Sequence, residues 1–478
     1  MAGLIVSSLA FALMQTLVIP ALPVLQRDLH TSTQWITWTV TIYLLTGSVA
    51  TPIIGRMGDQ YGKVKMMLVA LISFCVGSVG CLVSWNVGSL IVFRGIQGVG
   101  AAVFPLAYAI IRDEFPEDKW SVTMGTVSST LGVGGGLGIV TAGLVIDNLN
   151  WRWLFVVSAI IGLIALILVW RFIPESPVRA PARPDIVGAV LLSGGLIALL
   201  VALTEGGPEG WRSPFVVGLF IAAAAMLVAW AFAETRVAQP MVDMRMLTRR
   251  PVLFTNPTAL LSGFSLYATW VLLPAFFQLP SGLPPQYQHL ADYGFGTSVL
   301  VAGLWILPCS AAIVVAGPLG GMLGRRVGPR IPLALGMLLF ALGAAGIALN
   351  HSTALAVSMA FMVCGVGIGF AFAAMPRLIV GAVGPSETGV ATGMNNVIRT
   401  IGGVIGAQIA AVLLASHVNP GTSIPTVDGF VISFWISAAG ALLGVVTALL
   451  VSGGGRWRIV TATRPEPSVA TAVAAESA

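Results

Sequence analysis

The sequence predicts an all-α fold: a polytopic membrane helix bundle of two parallel six-helix repeats plus two central inserted helices, about 14 transmembrane helices in all. Composition, a succession of long apolar runs and an internal repeat carry that prediction. Of the 478 residues, 57% are hydrophobic and 9% charged, and the mean hydropathy is +0.94. Soluble domains carry roughly 25% charged residues. A soluble fold of this length has too little interior to hide so much apolar surface.

About 20 apolar residues cross the ~30 Å of bilayer hydrocarbon as a helix. Runs of that length fall at about 3–25, 35–55, 66–84, 88–111, 121–146, 153–173, 186–204, 214–233, 252–279, 297–323, 331–349, 353–376, 389–415 and 429–452, numbered here as spans 1 to 14. The runs are continuous and do not alternate, which excludes a closed β-barrel. Proline recurs inside them, at Pro20, Pro105, Pro274, Pro308 and Pro376, as membrane bundles tolerate and soluble helices do not. The first run has no basic segment before it and no A-x-A site within it, so it reads as a membrane helix and not as a signal peptide.

The formal charge of +6 does not point to nucleic acid, because the basic residues sit in short clusters between apolar runs. With the N-terminus placed in the cytoplasm, nineteen of the 24 Lys and Arg residues fall in cytoplasmic loops or the C-terminal tail. Three, Arg27, Arg152 and Arg212, fall in outer loops, and Arg94 and Arg399 lie within spans. Such asymmetry predicts both the span count and cytoplasmic termini. Cys75, Cys81, Cys309 and Cys364 all lie in apolar segments with no ligand spacing. They read as packing residues, and no metal or other cofactor is expected.

The repeat sets the architecture. Gly55-Arg56-Met57-Gly58-Asp59-Gln60-Tyr61-Gly62 after span 2 recurs as Gly321-Met322-Leu323-Gly324-Arg325-Arg326-Val327-Gly328 after span 10. Gly98 and Gly100 recur as Gly365 and Gly367, and Gly125, Gly134, Gly135 and Gly138 as Gly393, Gly402, Gly403 and Gly406. All offsets lie between 266 and 268 residues. The expected division is a six-helix half over 1–173, a linker with two inserted helices over 174–250, a second half over 251–452 and a disordered cytoplasmic tail over 453–478. Parallel halves place a substrate site between them near the midplane.

Several motifs resemble the major facilitator superfamily, specifically its fourteen-span drug:proton antiporter branch. The segment Gly55-x-x-Gly58-Asp59-Gln60-x-Gly62-Lys63-x-Lys65 is similar to the superfamily signature between spans 2 and 3, with Gln60 where arginine is usual. Arg94-x-x-Gln97-Gly98-x-Gly100 resembles the span-4 motif, and Gly134-x-x-x-Gly138-Ile139-x-x-Ala142-Gly143 the span-5 antiporter motif, with Ile139 in place of proline. Trp151-Arg152-Trp153-Leu154-Phe155 resembles the opening of span 6 in this branch. The resemblance implies proton antiport and a latch formed by Asp59 and Lys63 with Asp113, backed by Gly55, Gly58 and Gly62. The carboxylate usual in span 1 is absent, because Leu13-Met14-Gln15-Thr16 stands where the pattern is Leu-Asp-x-Thr. If protons are coupled, Asp59 or Asp113 are the carriers that remain.

A charge inside the bilayer costs at least ~2.5 kcal/mol, which singles out Arg94 and Arg399. Arg94 shares a helical face with Gln97 and Tyr108, and Arg399 with Asn396. Tyr267, Trp270, Pro274 and Phe277 align on one face of span 9, with Gln278 beside them; Gln15, Tyr43 and Trp305 are further candidates for the same cavity. Gly134, Gly138 and Gly143 read as close-packing positions of span 5, a sliding surface between the halves.

The function expected is secondary active transport by alternating access: proton-coupled efflux of amphiphilic small molecules, as in a multidrug-type exporter, in the plasma membrane. The partners expected are the lipid bilayer, a small-molecule substrate and protons, with no nucleic acid and a monomeric chain. A dedicated transporter of one metabolite, lipid or siderophore is the alternative on the same fold. A membrane enzyme or a channel is more remote, since no nucleophile, metal-ligand set or carboxylate pair lies at membrane depth.

Overall fold

Short polar side chains start many of the helices. Ser32, Asn86, Asp185, Ser298 and Thr353 each accept a hydrogen bond from a backbone N–H in the first turn that follows, satisfying a donor the helix leaves open. Two helices end on glycine at matching places in the repeat. Gly62 closes span 2 at φ 122° and Gly328 closes span 10 at φ 86°, values that only glycine adopts without strain. Both turns then lead at once into the next helix.

The computed structural model describes residues 1–176, 185–237, 239–280, 293–419, 422 and 424–451. The expected tail over 453–478 and most of the stretch from Pro174 to Asp185 lie outside the described residues. Among those described, fourteen helices are long and apolar enough to cross a bilayer: Ala2–Ala21, Trp35–Tyr61, Lys63–Leu82, Val87–Glu114, Glu117–Ile146, Arg152–Phe172, Ile186–Glu205, Pro214–Glu234, Arg250–Gln278, Val299–Val327, Arg330–Leu349, Ala354–Ala382, Pro385–Ser416 and Val427–Leu450. The protein is a multi-pass membrane protein. The sequence reading is corrected most at the 2–3 connection, expected as a loop from Gly55 onward. Helix continues to Tyr61 and resumes at Lys63, because Asp59, Gln60 and Lys63 are buried by protein. Their polarity had signalled solvent.

The neighbours of each span repeat between the halves. Span 1 packs on spans 5 and 6, span 2 on span 4, and span 3 on span 6; span 9 packs on spans 13 and 14, span 10 on span 12, and span 11 on span 14. One apolar core lies almost wholly within spans 1 to 6 and a second almost wholly within spans 9 to 14. Spans 7 and 8 pair with each other. Leu192, Leu196 and Trp230 join a third, smaller core with Ile379, Val390 and Met394 of spans 12 and 13.

The halves meet along two seams, span 5 on span 10 and span 2 on span 13. The first runs the length of both helices. A Cβ added to Gly125 would lie 2.4 Å from the Gly317 carbonyl oxygen, and one on Gly321 2.3 Å from that of Ser121. Gly132 and Gly136 meet Ile313 and Ser310, and Gly143 faces Leu300. The second seam is close only at one end, where Gly55 touches the Gly389 backbone and Gly393 touches Thr51 and Pro52. That end carries the 2–3 connection and most of the described basic residues, and is called the basic face below.

A side chain at the first seam must push two backbones apart, and overpacking costs about 1–3 kcal/mol. Gly125→Val is expected to lower the thermal unfolding midpoint in detergent by several degrees. Gly218→Ala, where an added Cβ meets nothing within 4 Å, is expected to leave it unchanged or slightly raised. Equal midpoints for the two variants would contradict the seam.

Candidate functional site

Where the second seam parts, a cavity opens between the halves. It holds about 1040 Å³ of empty space, counting the open space at its mouth, and spans 1, 2, 4, 5, 9, 12 and 13 all line it. Ile19 and Val40, at the ends of spans 1 and 2 away from the basic face, form part of its rim. Its body is aromatic and aliphatic, with Phe11, Leu44, Phe104, Trp270 and Phe372 in the wall. Gln15, Thr16, Ser48, Tyr267, Asn396, Arg399 and Thr400 are its polar lining residues. An apolar cavity with few polar fixtures holds amphiphilic organic molecules.

Two contacts cross the halves within the cavity. The Gln15 amide donates to the Tyr267 hydroxyl at 2.6 Å. The Trp270 ring reaches across to Gly135, where a Cβ would sit 2.6 Å from it. Arg399 donates to the Asn396 side-chain oxygen, and its guanidinium lies over the Phe372 ring, 4.5 Å from the centroid. Of the sequence candidates, Gln15, Tyr267, Trp270, Asn396 and Arg399 therefore come together in the wall.

The others lie elsewhere. Arg94 is wholly buried inside the first half. It donates to the Thr39 carbonyl at 3.0 Å and to Gln97 at 2.6 Å, and its guanidinium covers the Tyr43 ring at 4.1 Å. Gln97 in turn donates to Ser78 at 2.7 Å. Tyr43 is stacked behind Phe11 and donates to the Phe11 carbonyl at 3.0 Å. Arg94 thus stands two layers behind the wall and closes a polar network among spans 2, 3 and 4. Trp305 stacks on Phe277 within the second half, and Gln278 donates to the Pro274 carbonyl one turn earlier, at 3.0 Å. Tyr108 hydrogen-bonds Ser128 at 2.9 Å and borders a smaller chamber next to the cavity. Helical spacing groups residues on a face but does not say whether that face meets the cavity or a neighbouring helix.

The span-5 glycines divide likewise. Gly134 and Gly138 admit span 1, where an added Cβ would meet Ala12, Leu13 and Thr16; Gly143 faces span 10. The sliding surface expected of all three is corrected to packing within the first half for Gly134 and Gly138. The seam between the halves is made by Gly125, Gly132 and Gly136 instead.

At the basic face the latch residues separate into two devices. Lys63 and Asp113 form a buried ion pair. Asp113 also accepts from Ser176, and Lys63 reaches the Pro385 carbonyl of the other half at 3.4 Å. Asp59 does not bond this pair. Fully buried, it accepts from the Gly389 and Val390 N–H groups, each at 3.3 Å, and so caps the start of span 13 across the seam. A carboxylate there meets both open donors and the positive end of the helix. Gly55 and Gly58 allow the approach: a Cβ on Gly55 would strike the Gly389 backbone at 2.6 Å, and one on Gly58 the Leu106 side chain at 2.4 Å.

Arg112 was not singled out by the sequence, yet it donates to the Gly384 carbonyl at 2.9 Å and to Thr388 at 2.7 Å. Arg377 pairs with Glu117 at 3.0 Å. The Glu175 carboxylate accepts from the N–H groups of Val64 and Lys65, capping span 3. None belongs to a motif used above, and their partners lie far away in the chain. The basic face is closed, and the cavity opens away from it.

The family model described as Major Facilitator Superfamily matches residues 4–188, 185–407 and 294–473. The chain belongs to the major facilitator superfamily and sits with its drug-efflux branch. It is 28% identical over 422 residues to the multidrug transporter protein MdtP of Bacillus subtilis, covering 87% of this chain and 75% of that one. It is 31% identical over 464 residues to the puromycin resistance protein of Streptomyces alboniger, covering 91% and 86%. The tetracenomycin C resistance and export protein of Streptomyces glaucescens is 28% identical, covering 85% and 74%. In fold, the chain is similar to the human organic anion transporter TETRAN, with a TM-score of 0.64 at 15% identity and coverage of 94% and 98%. The proton:xylose symporter XylE gives 0.63 at 12% identity, with 93% of each chain covered.

Removing one partner of a buried ion pair leaves the other charge uncompensated, at a cost of about 3–5 kcal/mol. Lys63→Met is therefore expected to loosen the basic face. A cysteine placed at Thr392, 4% exposed behind that closure, should react with a water-soluble maleimide many times faster in the Lys63→Met background than without it. Equal rates would show that the pair does not hold the face shut.

Proposed function

We propose that this chain is a secondary active exporter of amphiphilic small molecules, of the multidrug type, driven by the proton gradient and working by alternating access. Its place is the cell membrane, with the basic face and both termini in the cytoplasm, and it works as a monomer. The observation that supports this best is the largely apolar, aromatic-lined cavity between two half-bundles, shut at one face by polar contacts that cross the halves and open at the other. The curated relatives are named as drug-resistance and export proteins, and the basic loops gathered on the closed face favour its cytoplasmic placement.

Coupling to protons is assigned to the closure itself. Span 1 has no carboxylate beside the cavity, with Met14 and Gln15 at that level, so the buried acids left to exchange protons near the moving seam are Asp59 and Asp113. A proton on Asp59 removes the charge that caps span 13, and one on Asp113 removes the partner of Lys63. Either change weakens the closed arrangement and favours opening toward the cytoplasm, where the proton is released and substrate enters. Protonation from outside and release inside then turn the cycle in the export direction.

The test is transport in sealed inverted vesicles. A pH gradient, acid inside, is expected to drive saturable uptake of an amphiphilic dye, and a protonophore to abolish it. Asp59→Asn is expected to slow turnover roughly tenfold, the scale of a well-placed charge at a helix end, while dye affinity stays within about twofold. Uptake that ignores the gradient would contradict proton coupling. An affinity loss with unchanged turnover would contradict the role given to Asp59.

A further inference from the structure

Two spaces in the bundle share one wall. The wide cavity reaches Phe372, Asn396 and Arg399, and the same three residues line the smaller chamber beside it. Tyr108, Thr392 and Asn395 lie on the chamber's other sides, and its empty space comes to about 330 Å³ only when the space open to its surroundings is counted. Thr392 lies one helical turn beyond Thr388, where the basic-face contacts begin, so the chamber sits between the cavity and the closure.

Among the described residues, Arg399 is the sole charged one lining either space. Its guanidinium carries five N–H donors in a planar fork, and among the described residues one hydrogen bond is made, to Asn396. The neighbouring hydroxyl donors, and one N–H of the Asn395 amide, are committed elsewhere. Thr392 donates to the Thr388 carbonyl at 2.7 Å, and the Asn395 amide to Asn256 at 2.9 Å. Ser128 donates to the Phe372 carbonyl at 2.9 Å, which leaves Tyr108 as the donor in their shared bond. The chamber therefore offers incoming groups one cationic fork beside the neutral Asn395 and Asn396 amides, with no carboxylate among its described lining residues to offset it.

We propose that Arg399 and this chamber form a head-group subsite for an organic anion, so that the preferred substrates are aromatic amphiphiles bearing a carboxylate, sulfonate or phosphate. This inference rests on the efflux reading above and adds the substrate class to it. The planar fork takes such a group through paired hydrogen bonds, while the aromatic body lies on Phe11, Phe104 and Trp270. Phe372, under the guanidinium, and Asn396 hold the fork in place without neutralising it. A fixed cation meets the opposite situation: at ~8 Å from Arg399 and an effective dielectric near 20, repulsion weakens binding roughly tenfold or more.

Three fluorescent probes on one aromatic skeleton, bearing a sulfonate, a neutral amide or a quaternary ammonium, test this by anisotropy on the full chain in detergent and by efflux from vesicles. The wild-type chain is expected to bind the sulfonate at least about tenfold tighter than the quaternary probe, with the amide between. R399Q is expected to bring the three affinities together, and R399K, which keeps the charge, to restore most of the order. If R399Q does not accumulate, the wild-type series still decides. Tightest binding of the quaternary probe, or a sulfonate preference that survives R399Q, would overturn the subsite. Saturable binding and efflux of all three probes at equal affinity would overturn it too while leaving the efflux reading intact. Absence of saturable binding and efflux for every probe would count against the efflux reading itself.

Discussion

The contact on which the structure depends is the direct approach of backbone to backbone along spans 5 and 10. Gly125 against Gly317 and Gly321 against Ser121 leave no room for a side chain, so the halves touch through their main chains. In lipid, helices gain nothing from hiding apolar side chains, since the solvent is equally apolar. Association rests on close packing and interhelical polar contacts. The tight seam gives the halves one shared edge. The other edge, spans 2 and 13, is close only at the basic face, and that asymmetry makes the cavity.

What holds the second edge is electrostatic. Carboxylates, cations and helix ends are matched there: across the halves, Asp59 to the start of span 13, Lys63 to the Pro385 carbonyl and Arg112 to Gly384 and Thr388, and within the first half, Asp113 to Lys63. An unmatched polar group in a low-dielectric interior is costly, so these groups hold firmly while paired and separate readily once one partner loses its charge. A seam of packed glycines has no such dependence on charge. One edge is therefore suited to pivot and the other to open.

The two arginines within the spans meet the same constraint in opposite ways. Arg94 is enclosed by Thr39, Gln97 and the Tyr43 ring and knits one half together. Arg399 is held by Asn396 and Phe372 with part of its fork left to the cavity. In sequence they look alike, each a lone charge in an apolar run with a polar neighbour three residues away. Hydropathy, loop charge and the repeat made the spans and their parallel arrangement legible, because those signals are summed over many residues. The site was legible in part: Arg399, Asn396, Gln15, Tyr267 and Trp270 line the cavity, whereas Arg94, Tyr43 and Trp305 turn into the halves. Which side of a helix meets the cavity depends on the rotation of each span, and periodicity fixes that only relative to its own residues. The partners of Asp59 and Arg112 lie more than half the chain away, and no local motif could name them.

The central claim is that the 2–13 edge opens and closes while the 5–10 seam stays joined. Spin-label distances in lipid nanodiscs test it most directly, with one pair at Trp35 and Ala415 on the far ends of spans 2 and 13 and another at Tyr61 and Ser386 on the basic face. Substrate together with low pH is expected to shorten the first distance and lengthen the second in the same population. A third pair across the middle of spans 5 and 10, at Thr126 and Val315, should not move. Parallel changes in the first two pairs, or separation of the third, would contradict the account.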